Sequence, residues 1–224
     1  MRTNVSHRLI AGLAGALGLV LLSPAASAHE DLLLQIQNVT SQLGRDPNNP
    51  DLYLRRGELR RLHQELHETV NLSVRQGDEM VYVERLLSDR TAMRVVHLIG
   101  ARAPLHITAA GKIFLLEDGP DKCQEYAQRT GLEVFTKNTI RDLSALNREL
   151  DRVRKVGYAQ DNEEAESGVS CIGAGIHDDE GRLVAGLSLS APSNRIEKTW
   201  CMRVKQTAEE ISRALGHLPG AKVA

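Results

Sequence analysis

Alternating apolar and polar residues predict two β-hairpins. The first joins residues 70–74 to 80–83 across the polar segment 75–79, and the second joins 170–177 to 183–190 across the acidic, glycine-containing turn 178–181. The same reasoning predicts a further strand over residues 93–98. These segments together predict an antiparallel sheet with the late hairpin near its centre.

Apolar residues at helical spacing predict helices over residues 108–116, 120–130, 143–156 and 201–215. In the last of these, Val204, Ala208, Ile211 and Leu215 share one face, as in a helix that packs on a core. Strands, then helices, then strands again indicate an α+β fold.

The first 28 residues show the order of a secretory signal peptide. Arg2 and Arg8 precede an apolar run over residues 9–22, and Ala26-Ser27-Ala28 forms a small-residue cleavage site. We therefore expect export, with a mature chain beginning near His29. The alternative is a buried or interfacial N-terminal helix, which would leave the protein in the cytoplasm.

Residues 29–66 form a second segment of different character. The pattern over residues 31–43 predicts an amphipathic helix that ends at Gly44, and the pieces around residues 46–50 and 52–57 resemble the opening helix of a tetratricopeptide repeat. No second copy follows. The predicted organisation is thus a signal peptide (1–28), a helical fragment (29–66), a main domain (67–218) and a tail (219–224). The join near residues 60–66 is open to two interpretations, a natural fusion or an artefact of sequence assembly.

Charge and cysteine content exclude some functions. The 224 residues carry a net charge of −1, so the chain lacks the basic surface that phosphate neutralisation requires for tight DNA binding. Cys123, Cys171 and Cys201 have no compact spacing, and we therefore predict no cysteine metal or redox centre and no cofactor.

Two serines suggest a binding site. Ser188 and Ser190 lie two residues apart on a predicted strand, so their side chains point to the same face of the sheet. Cys171 on a neighbouring strand would join them, and Ala109 and Ala110 at the start of a helix would offer backbone N–H groups to an anion. A small carboxylate suits this set of donors.

The acidic run 161–164, followed by Gly168-Val169-Ser170-Cys171 and then by residues 186–192, resembles the effector-binding domain of the IclR family of bacterial transcription regulators. The resemblance implies a GAF-like domain with a sheet of about six strands and a cavity on one face. It implies a pocket for a small organic acid effector and a homo-oligomer. The pocket residues that it implies are Asp161, Cys171, Ser188 and Ser190, with backbone donors at Ala109 and Ala110. The family's winged helix-turn-helix has no counterpart here, so we expect no direct contact with DNA.

Simpler interpretations stay open for these residues. The serines could satisfy neighbouring backbone groups, Cys171 could be a small buried apolar residue, and Asp161 could only cap a turn. A cysteine-dependent enzyme would need Cys171, His106 and Asp161 to converge. An exported solute-binding module is the remaining alternative. We expect no membrane span in the chain once the signal peptide is removed.

Overall fold

A computed structural model describes residues 50–90 and 99–218, with side chains from Gly57 onward. The predicted signal peptide, the helix at 31–43, the strand at 93–98 and the tail lie outside these residues. The described helices are α1 (Pro50–Leu66), α2 (Ala109–Thr130), α3 (Leu143–Val156) and α4 (Lys198–Ala214). The strands are β1 (Thr69–Gln76), β2 (Glu79–Leu86), β3 (Arg102–Pro104), β4 (Ala159–Asn162), β5 (Val169–His177) and β6 (Leu183–Pro192).

The six strands form one antiparallel sheet in the order β3-β2-β1-β6-β5-β4. Both predicted hairpins are present as β1–β2 and β5–β6, and the pairing of β1 with β6 places the two hairpins side by side. The predicted α+β class is therefore confirmed. Strands β3 and β4 were not predicted, because three and four residues are too few to show alternation.

One face of the sheet is apolar and is covered by α1 and α4. Val70, Ile172, Leu187 and Leu189 from the central strands belong to the same buried cluster as residues of both helices. The helix residues in this cluster are Leu59, Leu62 and Leu66 of α1 and Trp200, Cys201, Val204, Ala208 and Ile211 of α4. Helix α1, which the sequence placed in a separate segment, thus packs into the core of the main domain.

The opposite face carries polar and small side chains where the first turn of α2 lies against it. A Cβ atom added at Gly173 would come within 2.8 Å of Ala109 C and Ala110 N, and one added at Gly186 would come within 2.7 Å of Ala110 Cβ. Only glycine allows the helix backbone to approach the sheet so closely. This contact places Ala109 and Ala110 on the wall of a cavity between α2 and the sheet.

Helix α2 differs from prediction. The two predicted helices are one stretch that continues across Gly119, whose φ of 82° and ψ of 175° are not helical. Gly119 accommodates this conformation, and Pro120 then begins the second half in a position where proline is tolerated. Among the described helices, none combines the length and apolar character that crossing a membrane requires.

Candidate functional site

All six residues predicted for the site line one cavity of about 210 Å³ between the polar face of the sheet and the start of α2. Strand register explains the grouping on the sheet. Asp161, Cys171 and Ser190 are successive partners across β4, β5 and β6, and Ser188 lies one pleat further along β6. Directly opposed residues of antiparallel strands project to the same face. Met80, Tyr82, Pro104, Ile107 and Phe135 supply apolar walls.

The serine hydroxyls form a small hydrogen-bond network with Asn71, which is fully buried on β1. Asn71 Nδ2 donates to Ser188 Oγ at 3.3 Å and to Ser190 Oγ at 3.1 Å. The Cys171 thiol also donates to Ser190 Oγ, at 3.2 Å. Both serine oxygens therefore act as acceptors towards the protein.

Helix α2 contributes backbone donors. The side chain of Thr108 caps the helix by accepting from Gly111 N at 3.2 Å, and Lys112 N bonds to Thr108 O at 3.0 Å. The N–H groups of Ala109 and Ala110 belong to the first turn, where a helix offers no acceptor of its own. The positive end of the helix dipole thus lies at the cavity.

Asp161 caps a turn and also forms part of the cavity wall. Its Oδ1 accepts from Glu164 N at 2.7 Å, which caps the turn after β4, and the residue also lines the cavity. Burial raises its pKa to about 7, and the neighbouring carboxylate of Glu164 adds to this effect. Near neutral pH, Asp161 therefore exists in both the protonated and the ionised form.

A buried ion pair supports the loop that carries Asp161. Lys112 of α2 is 0% exposed, and its Nζ lies 2.6 Å from Glu164 Oε1 and 2.7 Å from Gln160 O. Desolvation raises the pKa of Glu164, whereas the charge of Lys112 opposes that rise. Thr139 donates to Glu164 O at 2.7 Å and fixes the same loop from the other side. Lys112 therefore acts behind the cavity and does not point its charge into it.

Of the three residues considered for a cysteine enzyme, Cys171 and Asp161 lie side by side, whereas His106 is bonded elsewhere. The two ring nitrogens of His106 bond to Tyr126 Oη at 2.8 Å and to Glu133 O at 3.0 Å, and no contact joins the ring to Cys171. Burial, together with the charge of Asp161, raises the pKa of Cys171 well above its ordinary value. A thiol that holds its proton is a weak nucleophile.

A second cavity of about 330 Å³ lies among α2, α3, α4 and the end of β5, and none of the predicted site residues lines it. Its walls include Lys205, Glu209 and the stacked rings of His177 and His217, whose centroids are 5.3 Å apart. In residues 50–90 and 99–218, no three His, Cys, Asp or Glu side chains are grouped so as to hold a metal ion.

Sequence reasoning missed Asn71, Lys112 and Glu164. Asn71 resembles an ordinary polar position on an alternating strand, and only strand pairing places it beside the serines. Lys112 precedes Ile113 in the apolar stretch that follows Gly111, and a lysine in such a stretch could have indicated a buried charge with a partner. Glu164 already stood in the acidic cluster, but nothing local distinguished it from Glu163.

Residues 54–216 match the family described as the bacterial transcriptional regulator IclR C-terminal domain. The chain therefore belongs to this family. In IclR-type regulators, this C-terminal domain is the one that binds effectors. The match begins within α1, thirteen residues before the domain boundary expected at 67.

Relatives of known name support the assignment. The chain is 37% identical over 167 residues to the HTH-type transcriptional repressor AllR of Klebsiella pneumoniae, covering 73% of this chain and 61% of the relative. It is 36% identical over 162 residues to AllR of Escherichia coli K12, covering 70% of this chain and 59% of the relative. The chain thus spans about 60% of the length of these repressors.

Solved structures show the same fold. The IclR protein of Thermotoga maritima matches with a TM-score of 0.69 and 33% identity, over 84% of this chain and 74% of that one. The inducer-binding domain of PobR from Acinetobacter was solved as a double mutant with 3-hydroxybenzoic acid. It matches with a TM-score of 0.64 and 26% identity, over 73% of this chain and 97% of that one. The GAF-like prediction is confirmed by these neighbours.

Proposed function

We propose that the 210 Å³ cavity binds a small organic acid and that the serine hydroxyls and the first N–H groups of α2 hold its carboxylate. The observation that carries this proposal is the convergence of Ser188, Ser190, Ala109 and Ala110 on one cavity. Hydroxyl and amide donors at a helix N-terminus favour an anion. Asp161 and Cys171 then contact the rest of the acid.

The size and the walls of the cavity narrow the ligand class. Cavities that hold drug-sized ligands usually measure about 300–1,000 Å³, and this one is smaller. Acids with few carbon atoms therefore fit best. The apolar walls from Met80, Tyr82 and Phe135 suit a short carbon skeleton or a single ring, and the bound 3-hydroxybenzoic acid of the PobR domain is an acid of this general kind.

Asp161 gives the pocket a second polar contact. When ionised it accepts from a ligand hydroxyl, and when protonated it donates to a ligand carbonyl. Its pKa of about 7 makes both forms available at neutral pH. We therefore expect hydroxy and oxo acids to bind more tightly than the corresponding unsubstituted acids.

Thermal unfolding of the full chain tests the proposal. We expect concentration-dependent stabilisation by at least one of acetate, lactate, pyruvate and 3-hydroxybenzoate, without consumption of the acid. The double variant Ser188→Ala with Ser190→Ala should fold normally and lose most of this stabilisation, whereas Ser144→Ala on the exposed face of α3 should keep it. Equal stabilisation of wild type and double variant would contradict the proposed site, and turnover of the acid would support an enzyme.

A regulatory role for the chain is a further part of the proposal, and it rests on family membership. A ligand shifts an equilibrium between two states only by its difference in affinity for them. We propose that the chain forms a homo-oligomer and that acid binding changes its association. Sedimentation velocity with and without the acid tests this, and an unchanged monomer in both conditions contradicts it.

The export signal expected at residues 1–28 stays a prediction. Intact mass of the native protein in separated periplasmic and cytoplasmic fractions decides it. A periplasmic species that begins near His29 would favour an exported binding module, and an uncleaved cytoplasmic species would favour the regulator.

A further inference from the structure

Asn71 occupies an unusual position behind the two serines. It is 0% exposed on the central strand β1, directly opposite Ser188 of β6. Its amide group has two N–H bonds, and the structure uses one towards Ser188 Oγ and one towards Ser190 Oγ. In the described part of the chain, its Oδ1 has no hydrogen-bond partner.

This arrangement limits what the hydroxyls can do. A serine hydroxyl has two acceptor lone pairs and a single proton to donate. Ser190 Oγ accepts from Asn71 at 3.1 Å, and the Cys171 thiol is a second donor at 3.2 Å from the same oxygen. Ser188 Oγ accepts from Asn71 as well. The protons of both hydroxyls are therefore left for the cavity, which both residues line.

The reverse orientation of the amide is less favourable. With Oδ1 towards the serines, both hydroxyls would donate to Asn71 and would present lone pairs to the cavity, which repel a carboxylate. The amide NH₂ would then occupy the buried position of Oδ1 and would have two donors to satisfy, where the present orientation leaves one acceptor unpaired. Buried groups without partners cost free energy, so the orientation with one such group is preferred.

We propose that Asn71 is a positioning residue that turns Ser188 and Ser190 into donors and thereby selects carboxylates over neutral ligands of the same shape. This inference rests on the proposed function. Asn71 does not line the cavity, and it acts only through the serines. Asn71 carries no charge, so its own contribution to the selection comes from the direction of hydrogen bonds. The charge of Arg102, which lines the cavity, is the same in wild type and in the variants of Asn71.

A double-mutant cycle on the full chain tests the inference. The probe is whichever of acetate, lactate, pyruvate and 3-hydroxybenzoate binds wild type most tightly by calorimetry. We expect Asn71→Leu, which keeps the approximate shape but removes the donors, to weaken binding about tenfold. In the background of Ser188→Ala with Ser190→Ala, the same substitution should change affinity less than twofold. An equal loss in both backgrounds, or no loss in wild type, would overturn the inference.

A second variant covers the case in which Asn71→Leu does not fold. Asn71→Asp keeps the shape and, when its carboxyl is ionised, replaces the donor group with an acceptor, so both hydroxyls turn towards Asp. Binding of the acid should fall at least a hundredfold at neutral pH, while the primary amide of the same acid should lose less than fivefold. Wild-type affinity for the acid in this variant, or an equal loss for acid and amide, contradicts the inference. If no acid binds wild type, the proposed function itself fails and the inference fails with it.

Discussion

Lys112 and Glu164 form an ion pair in which Nζ lies 2.6 Å from Oε1, between the second turn of α2 and the loop that follows β4. Both side chains are buried, at 0% and 7% exposure. The pair joins the helix that offers backbone donors to the loop that carries Asp161. It therefore fixes the distance between two walls of the cavity.

Removal of this lysine should be strongly destabilising. Lys112→Met fills similar space but leaves the Glu164 carboxylate buried without its partner, and such losses cost about 3–5 kcal/mol. Chemical denaturation measures the free energy of unfolding. Lys122→Met, at an exposed position of the same helix, should change it by less than about 0.5 kcal/mol. Equal stability of the two variants would show that the pair contributes little.

Gly173 should be intolerant of a methyl group. A Cβ at this position lies 2.8 Å from backbone atoms of Ala109 and Ala110, and the helix cannot move away without leaving the sheet. We expect Gly173→Ala to cost about 1–3 kcal/mol through overpacking and to reduce acid binding, because the N–H donors shift.

The matched control for this variant is Gly57→Ala. Gly57 lies in α1 with nothing within 4 Å of its added Cβ, so alanine should stabilise the chain by up to about 1 kcal/mol. Denaturation curves of both variants give the comparison. Stabilisation by Gly173→Ala would mean that the helix is not pressed against the sheet.

The sequence supports much of this fold and less of its site. The hairpins and helix α3 were predictable because their periodicity is local and strong. The pairing of β1 with β6 was not, because no local pattern says which strands meet. The six predicted residues meet in one cavity, yet their predicted role rested on family resemblance. The partner of Asn71 lies 117 positions away along the chain, and the partner of Lys112 lies 52 positions away. Periodicity does not reveal such distant contacts.

Asp161 should make stability depend on pH. Its folded pKa of about 7 lies above the ordinary value of 3.8, so the folded state holds a proton that the unfolded state releases between these values. Stability should therefore fall as pH rises from about 4 to about 7 and then level off. Asp161→Asn keeps an acceptor for Glu164 N and removes this penalty, so at pH 8 it should be more stable than wild type by up to about 4 kcal/mol.

The control is Asp151→Asn, which alters an exposed residue of α3. Its stability should follow the wild-type pH profile within about 0.5 kcal/mol. Denaturation at several pH values between 4 and 8 separates the two variants. Parallel profiles for wild type and Asp161→Asn would remove Asp161 as the titrating group.

Acid binding should weaken at high pH for the same reason. Ionised Asp161 repels a bound carboxylate. The nearby charge of Glu164 adds to the negative potential at Asp161, whereas the charge of Lys112 opposes it. For an acid that has no hydroxyl group to donate to ionised Asp161, we expect affinity to decline above pH 7 with a slope approaching about tenfold per pH unit. In Asp161→Asn, affinity should change less than about twofold between pH 6 and 8. Identical pH dependence in calorimetry of the two proteins contradicts the coupling.

A crystal structure of the full chain with the tightest-binding acid tests the central claim most directly. We predict that the carboxylate lies in the 210 Å³ cavity, with its oxygens about 3 Å from Ser188 Oγ, Ser190 Oγ and the N–H groups of Ala109 and Ala110. An acid bound instead in the larger cavity beside His177 and His217, with the serine cavity empty, would contradict the account.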